Sequence, residues 1–144
     1  MAEGDGVIYN EFKRALLAGE IDLSGDSTGH TIKVALLTAY TPNIDTHLHW
    51  ADVSAKEISG TGYTTKGATL GSKTVTLSSG SDRGVFDGAN VTWTGLNAGT
   101  PSHAVMFDDT HASDSLIAYW IVTTPSNGGD YTLQWHTDGI ILLT

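Results

Sequence analysis

The chain has 144 residues, of which 7 are basic and 16 are acidic, so its formal net charge is −9, and it contains no cysteine. The acidity argues against a nucleic-acid-binding protein, because such a protein needs basic side chains to neutralise phosphates. The lack of cysteine excludes disulfides, thiolate zinc sites and a cysteine nucleophile. Only 16% of the residues are charged, below the usual ~25%, which favours a β-rich domain with a hydroxylated surface.

The length predicts a single domain over residues 1–144. The opening residues, MAEGDG, are acidic and carry neither a basic segment nor a long apolar one, so we expect no secretory signal. The longest apolar runs, 116–122 and 139–143, are far shorter than the ~20 residues of a membrane helix. We therefore expect no membrane partner and synthesis in the cytoplasm.

Residues 7–18 have the period of an amphipathic helix. Ile8, Phe12 and Leu16 recur every four residues, which gives one apolar face. Asp5 is placed to cap the start of this helix, and Gly19 is placed to end it. The sequence predicts one short N-terminal α-helix here.

The remainder, residues 30–144, has the pattern of strands and turns. Residues 30–40 are apolar on both alternating faces, which predicts a central strand that is covered on both sides. Residues 44–58 fit either a short helix near 50–53 or a long ordered loop. Turn clusters of Gly, Asn, Asp and Ser separate the later segments, so the chain is predicted to be mainly β, an antiparallel β-sandwich or barrel-like domain. The later strands are predicted at 73–78, 84–87, 90–94, 103–107, 116–122, 130–136 and 139–143.

The histidines are the first candidates for chemistry. His47 and His49 would share a face of a strand, with Asp45 and Asp52 close in sequence, and two imidazoles could converge on one ion. A third ligand would have to come from His103, His111, Asp108 or Asp109. The alternative is that these are ordinary loop residues beside Trp50, and because the spacing is common we expect no metal ion and no cofactor.

No complete catalytic motif is present. The one Gly-x-Ser-x-Gly match, GDSTG at 25–29, lies in a turn cluster that is followed by the predicted strand 30–40, whereas a nucleophile elbow is followed by a helix. Ser, His and Asp are too frequent for their presence to indicate a triad. Asp108 and Asp109 are adjacent, so on a strand they would face opposite sides and could not flank one sugar. The glycines of 60–71 fit turns, because no Gly-Lys-Ser/Thr follows them. We predict no catalytic residues and no enzymatic activity.

The tryptophans divide into two groups. Trp93, Trp120 and Trp135 lie on predicted strands and are predicted to be core residues. Trp50 lies in the irregular segment and is the best candidate for an exposed contact residue, although a packed anchor is the interpretation we favour.

Several segments together resemble a family of small virion structural proteins of tailed bacteriophages. The resemblance covers nearly the whole chain. It depends more on the order of the segments than on any single segment. The stretch at 57–64, EISGTGYT, is the most recognisable. The other segments are IYNEFKRALLAGEIDL at 8–23, TIKVALLT at 31–38, PNIDTH at 42–47, WADV at 50–53, VFDGANVTW at 85–93 and GDYTLQWHTDGI at 129–140.

This resemblance implies a structural subunit of the virion, without catalytic residues. The leading hypothesis is a capsid decoration (cement) protein on the capsid surface, which binds the major capsid protein and forms a homo-oligomer. A tail, neck or fibre-associated component fits almost as well, and a carbohydrate-binding module using Trp50 or other exposed aromatics is a third hypothesis.

Two segments are candidates for the contacts with the capsid, namely residues 2–19 and residues 43–53. Ordinary packing within the domain is the alternative for both. The candidate partner-binding residues are Ile8, Tyr9, Phe12, Ile44, His47, His49 and Trp50.

Overall fold

The computed structural model describes residues 5–144, and within this range the chain is mainly β with antiparallel strands and two α-helices. The first helix comes early and the second lies between the second and third strands. The helices are α1 (Asn10–Leu17) and α2 (Trp50–Val53), the latter continued by a 3₁₀ turn at Ser54–Lys56. The strands are β1 (Val7–Ile8), β2 (Ile32–Leu37), β3 (Ala68–Thr69), β4 (Thr74–Ser78), β5 (Arg83–Asp87), β6 (Val91–Trp93), β7 (His103–Asp108), β8 (Ser115–Ile121), β9 (Tyr131–Leu133) and β10 (Ile141–Leu143).

The strands form a sandwich-like arrangement. A five-stranded sheet has the order β1-β8-β7-β2-β3, a three-stranded sheet the order β10-β5-β4, and β6 pairs with β9. The main core lies between the five-stranded sheet and the two smaller ones, because buried side chains from all three sheets share one cluster with α1. This arrangement confirms the predicted fold class.

Strand β2 is central and covered on both faces, as its sequence predicts. It pairs with β7 on one side and β3 on the other. Its even-numbered residues, such as Val34, enter the main core, while Ala35 and Leu37 enter a second cluster on the opposite face. That second cluster includes Trp50 of α2, so the short helix predicted as one possibility near 50–53 closes the outer face of the sheet.

The predicted helix 7–18 is wrong at its start. Val7 and Ile8 form a strand that pairs with Tyr119 and Ala118 of β8. Tyr9 continues this contact, since its backbone N–H donates to the carbonyl of Ile117 at 3.0 Å. The helix therefore begins at Asn10, after an extended Tyr9, and Asp5 does not cap it. Pairing with β8 gives the backbone groups of Val7 and Ile8 hydrogen-bond partners, whereas the first N–H groups of a longer helix would have none within the helix.

The predicted end of the helix is confirmed. Gly19 has a φ of +71°, the left-handed conformation that glycine adopts without steric cost. Its N–H donates to Leu16, and the N–H of Glu20 donates to Ala15 at 2.9 Å. These two bonds form a Schellman motif, which satisfies the last carbonyls of the helix and turns the chain back toward the core.

Candidate docking surface

The residues of the predicted His-x-His motif do not converge on an ion site. His47 Nδ1 contacts the Tyr40 hydroxyl at 2.8 Å, whereas His49 points to Glu11, with 3.8 Å between Nε2 and Oε1. Asp52 accepts bonds from the backbone N–H groups of Leu48 and His49, both at 2.9 Å, and these bonds lower the pKa of Asp52. Within residues 5–144, no group of three or more His, Cys, Asp or Glu side chains is arranged to hold a metal ion.

A charged network that the sequence did not indicate surrounds Arg14. Its guanidinium contacts Glu11 at 2.7 Å and Glu20 at 2.6 Å. His111 Nε2 reaches Glu20 at 3.3 Å, and the rings of His49 and His111 stack with 6.5 Å between centroids. The hydrogen bond from Arg14 lowers the pKa of Glu11 and lowers that of Glu20 to about 2. The network ties the helix to the neighbouring loops and presents no free carboxylate pair.

The adjacent aspartates at the end of β7 serve the fold. Asp108 is fully buried and accepts the backbone N–H groups of Thr110 and His111, while His30 Nδ1 lies 2.5 Å from its other oxygen. Asp109 faces the opposite way and pairs with lysines, including Lys66 at 2.9 Å. The two carboxylates therefore organise a turn and a surface ion pair on opposite sides of the strand.

All four tryptophans are buried. Trp50 stacks on Phe107 with 4.7 Å between ring centroids, which confirms the packed anchor and excludes Trp50 as an exposed ring for carbohydrate. Trp120 and Trp135 pack at 4.9 Å, and Trp135 Nε1 donates to the carbonyl of Ala89 at 2.9 Å. A cavity of about 250 Å³ lies beside this pair, but the indoles themselves belong to the core.

The candidate partner-binding residues do not form one exposed patch. Tyr9, Phe12 and Trp50 are buried, so their side chains form no exposed patch, and the prediction that they bind a partner stays untested. The hydroxyl of Tyr9 is hydrogen-bonded to that of Tyr40 at 2.8 Å, so this part of the N-terminal segment packs within the domain. The remaining four are half-buried: Ile8, Ile44, His47 and His49.

An open apolar groove of about 470 Å³ lies between α1 and the three-stranded sheet. Phe12 of the helix and Phe86 of β5 form buried parts of its wall. Val75 and Leu143 also line it, yet their side chains are 57% and 55% exposed. The core therefore stays uncovered where the sheet extends past the helix. Further apolar lining comes from Leu16, Ile21, Leu23 and Ile141.

A glycine forms a notch in the groove. Gly84 of β5 lies between Leu77 of β4 and Leu143 of β10 in the ladder. Directly opposed residues point to the same face of a sheet, so the row on the groove side contains two leucines with a gap between them. A Cβ at Gly84 would meet no atom within 4 Å. The notch has room for an aliphatic side chain of a partner.

Exposed aliphatic side chains are concentrated around this groove. Leu77, which is 80% exposed, lies next to Gly84 in the ladder and follows Val75 on the same face of β4. Isolated exposed leucines are ordinary, but a contiguous apolar surface usually marks an interaction site. The alternation in 73–78 predicts a strand correctly, and nothing local indicates that its apolar face is left open.

Comparisons with known proteins give no family for this chain. Neither a family model, nor a curated protein, nor a solved structure matches it. The resemblance to phage virion proteins thus stays a prediction. Across residues 5–144, none of the helices has the length and apolar character needed to cross a membrane.

Proposed function

We propose that this protein is a structural subunit of a tailed-phage virion, and specifically a capsid decoration protein that binds the major capsid protein on the outer shell. The order of the family-like segments supports the virion role. The groove beside α1 supports a role in protein–protein docking, because it combines an open cavity, a glycine notch and exposed aliphatic side chains.

The observation that carries the docking role is the part of the three-stranded sheet, at Val75, Leu77 and Leu143, that the core leaves exposed. An apolar segment of the capsid protein would bury Val75, Leu143 and the walls of the groove, and an aliphatic side chain would fill the notch at Gly84. Burial of apolar area contributes roughly 25 cal/mol per Å², so a groove of this size gives modest affinity per contact. Many repeated contacts across a shell make such binding stable.

The first test is the copy number of this protein in purified virions. Quantitative mass spectrometry should give a simple ratio to the major capsid protein, fixed by capsid symmetry. A few copies per particle would contradict shell decoration and assign the protein to the tail, neck or fibres. Absence from the virion would contradict the virion role altogether.

The second test fills the notch. Gly84→Leu places a side chain in the open space of the groove and should abolish binding to undecorated shells, measured by co-sedimentation. Gly71→Leu is the matched control, since a Cβ at Gly71 also meets no atom within 4 Å and Gly71 lies outside the groove lining. Equal shell binding by the two variants would show that the groove is not the docking site.

A further inference from the structure

Strand β4 is an exposed edge that lacks the usual protection against pairing. It is the outer strand of the order β10-β5-β4 and pairs regularly with β5 from Thr74 to Ser78. Natural edge strands are commonly protected by charges, prolines or bulges. The five residues TVTLS contain no charge and no proline, and the β4–β5 register is unbroken. This edge can therefore accept another strand along its full length.

The sequence of β4 is complementary to itself. In an antiparallel pair of two β4 strands centred on Thr76, Val75 of one copy lies opposite Leu77 of the other, and Thr74 lies opposite Ser78. Aliphatic side chains then meet aliphatic ones, and hydroxyl side chains meet hydroxyl ones. A shift by one residue would place Val75 opposite Thr76 and join an apolar face to a polar one, which opposes that register.

Charge does not oppose a second copy at this strand. Two copies with a net charge of −9 each repel one another over most of their surfaces. Residues 74–78 carry no charge. At the ends of the paired segment, Lys73 of one copy approaches Ser79 of the other, so the register brings no like charges together.

We propose that two copies of this chain pair through β4 about a two-fold axis at Thr76, which joins the two three-stranded sheets into one six-stranded sheet. The groove sides of both copies then lie on the same face of that sheet. A continuous apolar row crosses the dimer, from Ile141, Phe86 and Val75 of one copy to Leu77, Gly84 and Leu143 of the other.

This dimer deepens the proposed function, on which its biological role rests, because it presents two grooves to one surface. Two linked grooves bind a shell far more tightly than one, since the second contact becomes intramolecular. The dimer itself forms without the virion and is measured on the isolated protein. Its failure is thus distinguishable from the failure of the capsid role.

The mass of the isolated protein in solution is the first test. Only one short strand from each copy takes part, so the interface is small. We therefore expect a weak dimer that forms at micromolar to millimolar concentrations. Sedimentation equilibrium should show the mass rising toward twice that of the monomer. Leu77→Lys should weaken this dimer roughly tenfold, because it replaces an aliphatic cross-strand contact with Val75 of the other copy by a charged side chain.

Ile121→Lys is the matched control for Leu77→Lys. Ile121 is also an exposed strand aliphatic, at 68%, and the change adds the same charge on a different sheet. Circular dichroism checks that both variants fold. A monomer at every concentration, a trimer, or equal effects of the two variants would overturn the proposal. If the unmodified protein is always monomeric and Leu77→Lys still abolishes shell binding, the β4 edge would instead pair with a strand of the capsid protein.

Single cysteines test the register independently of Leu77. The chain has no cysteine, so Thr76→Cys introduces one thiol at the proposed axis, where facing Cα atoms about 5 Å apart permit a disulfide. Thr74→Cys is the control, because the two copies of residue 74 would lie roughly 14 Å apart. Mild oxidation should link the Thr76→Cys variant much faster than the control. Equal rates, or faster linking at residue 74, would overturn the register.

Discussion

Removing the hydroxyl of Tyr40 should destabilise the protein more than removing that of Tyr9, although the two form one hydrogen bond. The bond is 2.8 Å long and buried, and Tyr40 continues the chain to His47 Nδ1 at 2.8 Å. The backbone N–H of Asn43 also donates to His47 Nδ1, so this nitrogen accepts. Tyr40 therefore donates to His47, and Tyr9 donates to Tyr40.

The two substitutions leave different groups without partners. Tyr9→Phe removes one bond but leaves Tyr40 bonded to His47, which costs about 0.5–1.5 kcal/mol. Tyr40→Phe leaves the Tyr9 hydroxyl buried and unpaired while His47 keeps Asn43, which costs about 1–3 kcal/mol. At this chain length, the melting temperature falls by roughly 3 °C for each kcal/mol. Both variants keep the aromatic rings, so packing is unchanged.

Urea unfolding, followed by tryptophan fluorescence, measures the free energy of unfolding of the two single variants and of the double variant. In the double variant the unpaired hydroxyl of Tyr9 is also gone, so its cost should be smaller than the sum of the two single costs. Additive costs, or a larger cost for Tyr9→Phe than for Tyr40→Phe, would refute the assignment of donors and acceptors.

Three further predictions follow from backbone strain, charge and packing. Gly67→Ala should cost about 2 kcal/mol or more in unfolding free energy, because its Cβ would meet a backbone carbonyl of β2 at a φ of +71°. Gly99→Ala, with a φ of +80° but open space around the Cβ, should cost less, and equal costs would contradict the clash. Arg14 lowers the pKa of Glu20 from 4.5 to about 2, so this carboxylate contributes stability above about pH 4.5 that is lost as pH falls toward 2. Glu20→Gln should therefore lower the urea midpoint at pH 7 and converge with the unmodified protein near pH 2, and a constant difference across this range would contradict the linkage. Trp50→Ala should cost about 3–5 kcal/mol in urea unfolding, whereas a cost below about 1 kcal/mol would mean that the ring is not a core anchor.

The central part of the fold is predictable because its signals are local. Strand β2 is apolar on both faces within one short segment, and this pattern requires cover on both sides. The end of α1 is equally local, since Gly19 supplies the conformation that closes a helix. In both cases the residues that determine the structure are neighbours in sequence.

The start of α1 was mispredicted because the competing interaction is distant in sequence. Ile8 continues the helical period of Phe12 and Leu16, and no nearby residue argues against a helix there. The strand partner of Val7 and Ile8 is β8, near the other end of the chain. Pairing with that edge outweighs one more helical turn, and a local pattern contains no information about it.

The docking surface was missed for a similar reason. Val75 and Leu77 alternate with threonines, which predicts a strand with one apolar face, and such a face is normally buried. Whether another layer covers it depends on where α1 ends relative to the sheet. The sequence instead directed attention to Tyr9 and Trp50, whose aromatic character reflects their place in the second core cluster, and only Phe12 of the predicted contact residues lines the groove.

The groove is built from parts of the chain that are made at very different times. Phe12 comes from the first helix, Phe86 from the middle of the chain, and Ile141 and Leu143 from the last strand. Contacts between such distant residues form late in folding, after the loops between them have closed. A chain that ends before β10 lacks Ile141 and Leu143 and therefore part of the groove lining. The groove is complete only once the last strand has paired with β5.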